Sequence, residues 1–148
     1  MADLRPILLV EDNPKDIELT LAALAKCQLA NKIEVVRDGA DALDYLYSRG
    51  AHSVRDAGDP AVVLLDLKLP KLDGLGVLKR LRADERTRIL PVVVLTSSSQ
   101  DADVVASYNL GANSYVRKPV EFGAFVDAVS SLGLYWVLLN RPPPQHAA

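Results

Sequence analysis

Short apolar runs that stop abruptly at a polar residue recur along this chain, and they constrain its fold more than any other feature. Ile7-Leu8-Leu9-Val10 meets Glu11-Asp12, Ala61-Val62-Val63-Leu64-Leu65 meets Asp66, residues 89–95 meet Thr96, and residues 113–117 meet Lys118. Runs of this length predict strands buried on both faces of a parallel sheet. Ile33-Glu34-Val35-Val36 is less apolar and suits a strand nearer the edge, whereas residues 61–65 suit the centre. Helical patterns fill the intervals. Asn13 caps a helix with Pro14 at its first position and Ile17, Leu21 and Leu24 on one face. Asp38-Gly39 leads into a short helix with Ala42, Leu43, Leu46 and Tyr47, and Gly74 and Gly76 precede Val77, Leu78 and Leu81. Residues 102–110 form a weaker helix that Gly111 can close. Phe122, Phe125, Val126, Val129, Leu132 and Trp136 trace a last helix, stopped by Asn140 and the prolines 142–144. Five strands alternating with five helices predict an α/β fold, a doubly wound parallel sheet covered on both faces.

Composition narrows the function. The 148 residues suit one domain, residues 1–148, with an extended last helix and Pro-rich tail over residues 130–148. Seventeen basic against 19 acidic residues give a net charge of −2, which excludes a basic face for nonspecific nucleic-acid binding. The basic residues Lys79, Arg80, Arg82, Arg86 and Arg88 are expected to be a solvated helix face. Cys27 is the only cysteine, and His52 and His146 are far apart, so neither a disulfide nor a zinc site is expected. Residues 1–5 lack a signal-peptide core, and no apolar run suits a bilayer span. A soluble cytoplasmic protein with a loop over residues 48–60 is the expectation.

In an open parallel sheet all strand C-termini lie on one edge, where ligands bind. Glu11, Asp12, Asp66, Thr96 and Lys118 therefore converge although they are distant in sequence. Each alone has a bland role, such as a cap, a turn or a solvated lysine. Together they concentrate carboxylates that repel one another. A hard divalent cation such as Mg²⁺ relieves that repulsion and attracts phosphate. Asp66 could then act as a nucleophile that forms an aspartyl phosphate, with Thr96 and Lys118 bonding the phosphoryl oxygens.

Residues 8–13 (Leu-Leu-Val-Glu-Asp-Asn), 64–70 (Leu-Leu-Asp-Leu-Lys-Leu-Pro), 94–97 (Val-Leu-Thr-Ser) and 115–119 (Tyr-Val-Arg-Lys-Pro) together resemble a response-regulator receiver domain of the CheY type, from Pro6 to about Val129. The resemblance implies a flavodoxin-like strand order, 2-1-3-4-5. It implies Asp66 as phosphoacceptor, with Mg²⁺ held by Asp12, Asp66 and the backbone carbonyl of Lys68, and by Glu11 through water. It implies phosphoryl stabilisation by Thr96 and Lys118, an inward turn of Tyr115 on activation, and a cis bond before Pro119. Lys68 and Ser98 occupy the positions that border the hydrolytic water and so tune phosphoryl lifetime. The start of the first helix, at Asn13, Pro14 and Ile17, is the expected kinase-docking surface.

The segment 134–139 is apolar all round, so one sheet cannot bury it. A helix over residues 121–140 would be about 30 Å long at 1.5 Å per residue and would overhang the domain. A second copy docking on Leu134, Tyr135, Trp136, Leu138 and Leu139 accounts for the surplus, and a folded-back tail is the alternative. Residues 135–140 followed by three prolines resemble the ending of regulators paired with bacterial phytochrome histidine kinases. That resemblance implies such a kinase as partner, a homodimer through the last helix, and no DNA-binding output domain. A Mg²⁺-dependent aspartyl-phosphate phosphohydrolase is the main alternative. Those enzymes carry a carboxylate two residues after the nucleophile, where this chain has Lys68. A nucleotide- or flavin-binding protein would want a Gly-rich or hydroxyl-rich phosphate loop after the first strand, where Glu11-Asp12 stands.

Overall fold

The computed structural model describes residues 5–53, 58–118 and 121–140. Five parallel strands form one sheet: β1 (Ile7–Val10), β2 (Ile33–Val36), β3 (Val62–Leu65), β4 (Val92–Thr96) and β5 (Ser114–Arg117). Their order is β2-β1-β3-β4-β5, so β3 is central and the less apolar β2 is an edge. Right-handed crossovers through helices place a layer on each face. The helices are α1 (Pro14–Ala25), α2 (Gly39–Leu46), α3 (Gly74–Ala83), α4 (Asp101–Asn109) and α5 (Phe122–Gly133).

Alternation along each strand divides the core in two. Leu8, Val10, Val63, Leu65, Val92 and Val94 face Leu43, Leu46, Val77, Leu78 and Leu81 on one side. Ile7, Leu9, Val62, Leu64, Val93 and Leu95 face Ile17, Leu24, Phe125, Val126 and Val129 on the other. The sheet therefore has no solvated face over its central strands, which is why these segments carry no alternating polar residues. Side-chain caps start most helices: Asn13 Oδ1 accepts from the N–H of Lys15 and Asp16, Asp38 from Asp41, and Asp73 from Gly76. Gly111 closes the turn after α4 with a φ of +96°, in the left-handed region.

Several boundaries differ from the expectations. Strand β4 begins after Pro91, not at Ile89, because residues 87–90 make a turn closed by Leu90 N–H to Thr87 O, and Ile89 is 53% exposed. In α2 it is Tyr45 that is buried, and Tyr47 caps the helix half-buried. Arg82 is not a solvated arginine: its guanidinium bonds Gly111 O, Thr87 O and Asn113 Oδ1, tying α3 to the turns around β4 and β5. The loop after α2 contains a 3-10 turn, Gly50–His52, pinned by a 2.8 Å contact from His52 Nε2 to Asp41 Oδ1. The single long last helix is instead α5 continued by a π-helical turn, Leu134–Leu139, which Asn140 ends. That turn is not exposed all round, since Val137 is buried and Trp136 half-buried. The tail beyond residue 140 and the bond before Pro119 lie outside the described residues. Among the described residues no helix is long and apolar enough to cross a membrane.

Gly74 links this packing to the sheet edge. A Cβ at that position would lie 2.3 Å from the carbonyl oxygen of Asp66 and 2.7 Å from Leu67 Cα, both backbone atoms that cannot step aside cheaply. We expect Gly74→Ala to lower the unfolding free energy by about 1–3 kcal/mol. Urea denaturation measures this, and an unchanged midpoint would contradict the close approach.

Candidate functional site

The C-terminal ends of β1, β3, β4 and β5 supply Glu11, Asp66, Thr96 and Lys118. All four side chains belong to buried residues. The cluster is organised by one ammonium group. Lys118 Nζ donates to Glu11 Oε1, to Asp16 Oδ2 at 2.9 Å and to Asp66 Oδ2 at 3.2 Å. The second oxygens of Glu11 and Asp66 are also used. Glu11 Oε2 accepts from the Asn13 N–H at 3.2 Å, and Asp66 Oδ1 from the Leu67 N–H at 2.7 Å. The backbone holds the lysine in place, because Lys118 N–H donates to Thr96 O at 2.6 Å where β4 and β5 end together.

Three carboxylates thus face one ammonium. Burial, reinforced by the Asp66 carboxylate, pushes Glu11 up to about 7 despite its bond to Lys118. Burial works against the Lys118 charge as well, but bonds to Glu11 and Asp16 outweigh it and hold the ammonium above the ordinary lysine value. Such a pocket of hard oxygen donors with excess negative charge fits a divalent cation. Among the described residues no three acidic, histidine or cysteine side chains are gathered tightly enough to hold a metal by themselves.

The response regulator receiver domain family matches residues 7–130. The chain belongs to that family. The bacteriophytochrome response regulator AtBRR is 60% identical, with a TM-score of 0.75, and the match covers 94% of this chain and 99% of that one. A phosphorylated cyanobacterial phytochrome response regulator, RcpA, is 34% identical with a TM-score of 0.89, covering 96% and 100%. The Mn²⁺-bound form of Rcp1, a Synechocystis response regulator, is 33% identical with a TM-score of 0.88, covering 95% and 99%. As a receiver domain the chain is a phosphoacceptor switch of two-component signalling, and the phosphohydrolase reading is not favoured.

The receiver's other expected residues fall in different places. Asp12 is exposed beside the cluster, and the Lys68 side chain is exposed. Ser98 points its hydroxyl at Asp103 on α4, and its N–H makes a long 3.4 Å contact with Thr96 Oγ1. Tyr115 is half-buried on β5, packs against the α2–α3 layer and donates from its hydroxyl to Ser98 O at 2.9 Å. Ile17 does not present a docking surface, because it is buried in the α1–α5 layer, whereas Asn13 and Pro14 are exposed. The sequence reading missed Asp16. Its signal was its position: it immediately precedes Ile17, the first inward residue, at the end of α1 nearest the crevice.

Glu11 ionises near 7 in the folded protein, against an ordinary 4.5. The folded state therefore holds an extra proton between those values, and this group's contribution to stability, full below about 4.5, is lost as pH rises through about 7. In metal-free buffer, Glu11→Gln is expected to flatten the fall of unfolding free energy across that window. Urea titrations at a series of pH values measure it, and identical slopes in the two proteins would refute the assignment.

Proposed function

We propose that Asp66 is the phosphoacceptor and that its site takes Mg²⁺. The observation that carries this reading is the bridging of Asp66 and Glu11 by the buried Lys118 ammonium at the C-terminal edge of the sheet. Asp12, Asp66 and the Lys68 carbonyl would hold the ion directly, and Glu11 through water. Bound there, the metal offsets the charge of an approaching phosphoryl group. In the transfer, an Asp66 oxygen attacks phosphorus, the bond from phosphorus to the donor histidine nitrogen breaks, and the electron pair leaves with the imidazole. Lys118 and Thr96 then donate to phosphoryl oxygens. Tyr115, already tethered to the loop after β4, responds to the movement of Thr96. Lys68, exposed next to the site, and Ser98 govern water access and hence the rate of autodephosphorylation.

The donor is a sensor histidine kinase of the bacteriophytochrome type, and Asn13 and Pro14 lie in its docking surface. This rests on the high identity to AtBRR. The protein works in the cytoplasm through its receiver domain and pairs with a second copy. Tyr135, 49% exposed, and Leu134, 41% exposed, support that pairing, together with the half-buried Trp136. Tyr135 and Trp136 line a hollow together with Asn113 and with Ser114 and Val116 of the edge strand β5. Leu138 and Leu139 belong to the same turn.

Two experiments test the reading. Asp66→Asn is expected to abolish Mg²⁺-dependent labelling by acetyl phosphate, and retained labelling would move the acceptor elsewhere. Tyr135→Glu is expected to weaken self-association by about tenfold or more in sedimentation runs, since a charge would be buried unpaired. A native chain that is monomeric at high concentration would remove the dimer.

A further inference from the structure

We propose that Asp16 is a positioning residue for phosphoryl transfer, holding the Lys118 ammonium back from the Asp66 carboxylate. The inference rests on Asp66 being the acceptor. An ammonium has three N–H donors, and here three carboxylates take them: Glu11 from β1, Asp66 from β3 and Asp16 from α1. The bond to Asp66 is the longer of the two aspartate contacts, 3.2 Å against 2.9 Å to Asp16.

That difference matters chemically. A carboxylate gripped by a cation in a dry pocket is a poorer nucleophile, because its lone pairs are stabilised in the ground state. Asp16 draws part of the donation away, through the carboxylate that is 27% exposed where Glu11 and Asp66 are 3% and 10%. Remove it, and the vacated N–H turns toward the acceptors that remain in reach, Glu11 and Asp66. The ammonium then closes on the reacting oxygen. During transfer from acetyl phosphate the Asp66 oxygen bonds to phosphorus, the phosphorus–oxygen bond of the donor breaks, and acetate leaves with the pair. Lys118's third donation then passes from the Asp66 carboxylate to a phosphoryl oxygen. The bonds to Glu11 and Asp16 keep the ammonium in position throughout.

The sign of the effect separates this role from simple charge. Deleting a negative charge near the site favours approach of an anionic donor, so electrostatics alone would speed labelling. Positioning predicts the reverse. The test is the labelling rate with acetyl phosphate and Mg²⁺, taken from subsaturating to saturating donor. Asp16→Ala is expected to slow the saturated rate by about fivefold or more without weakening donor binding. Asp16→Ser should do the same, Asp16→Glu should restore part of the rate, and Glu18→Gln, an equal charge change on an exposed part of α1, should not slow it. Thermal melts identify any variant that fails to fold. An unchanged or faster rate in folded Asp16→Ala and Asp16→Ser overturns the proposal, as does a loss confined to donor affinity. Undiminished labelling of Asp66→Asn would instead overturn the assignment of the acceptor.

Discussion

A charged lysine buried against three carboxylates organises the whole C-terminal edge of this sheet. Burying the Lys118 ammonium is tolerable only because every one of its donors is met, and the carboxylates are tolerable only because the ammonium is there. The partners come from β1, β3 and α1, while Lys118 itself follows β5. Strand order and crossover handedness thus become chemistry: four segments scattered over more than a hundred residues are tied at one point. The balance is incomplete, with carboxylate charge in excess. Burial is the main force pushing Glu11 toward neutrality, and the nearby Asp66 carboxylate adds to it. A site in this condition gains from any added positive charge, which is the physical basis of its fit to a divalent cation.

Much of this was legible in the sequence, for a specific reason. Strands buried on both faces cannot hide their identity, since Ile7–Val10 and Val62–Leu65 have no polar position to confuse the period. A polar residue at the end of such a run is conspicuous, which is how Asp66 and Thr96 stood out, while Lys118 drew its weight from the set. The failures have equally local causes. Ile89 belongs to an apolar run but precedes Pro91, and a turn through Thr87 and Leu90 ends before the ladder starts. Arg82 lies among other cationic residues, and only tertiary carbonyls reveal that it is a tie between elements. Asp16 sits in the first turn of α1, where acids are common as helix-dipole partners, so its position hints at the crevice but only the folded place of Lys118 shows the contact.

The same edge shows how a change at Asp66 reaches the surface. Thr96, fully buried, touches the backbone of Ser98; Ser98 bonds Asp103 on α4 through its hydroxyl and receives the Tyr115 hydroxyl at its carbonyl. Helix α4 is the least anchored helix, with Ser107 its one buried residue and Val105 and Tyr108 more than half exposed. Elements with little buried apolar area have low local stability and shift at small cost. Under the proposed function, a displacement of Thr96 by a phosphoryl oxygen would act on a loop whose hydrogen bonds couple a weakly held helix to an aromatic residue of the edge strand. Helices α3 and α5, by contrast, are locked into the core by Val77, Leu78, Leu81, Phe125 and Val129, and they resist the same displacement. Under that reading, movement would be directed toward α4 and β5. Strand β5 also lines the hollow beneath Tyr135 and Trp136, so a shift at the site and the shape of the exposed C-terminal surface share one structural element.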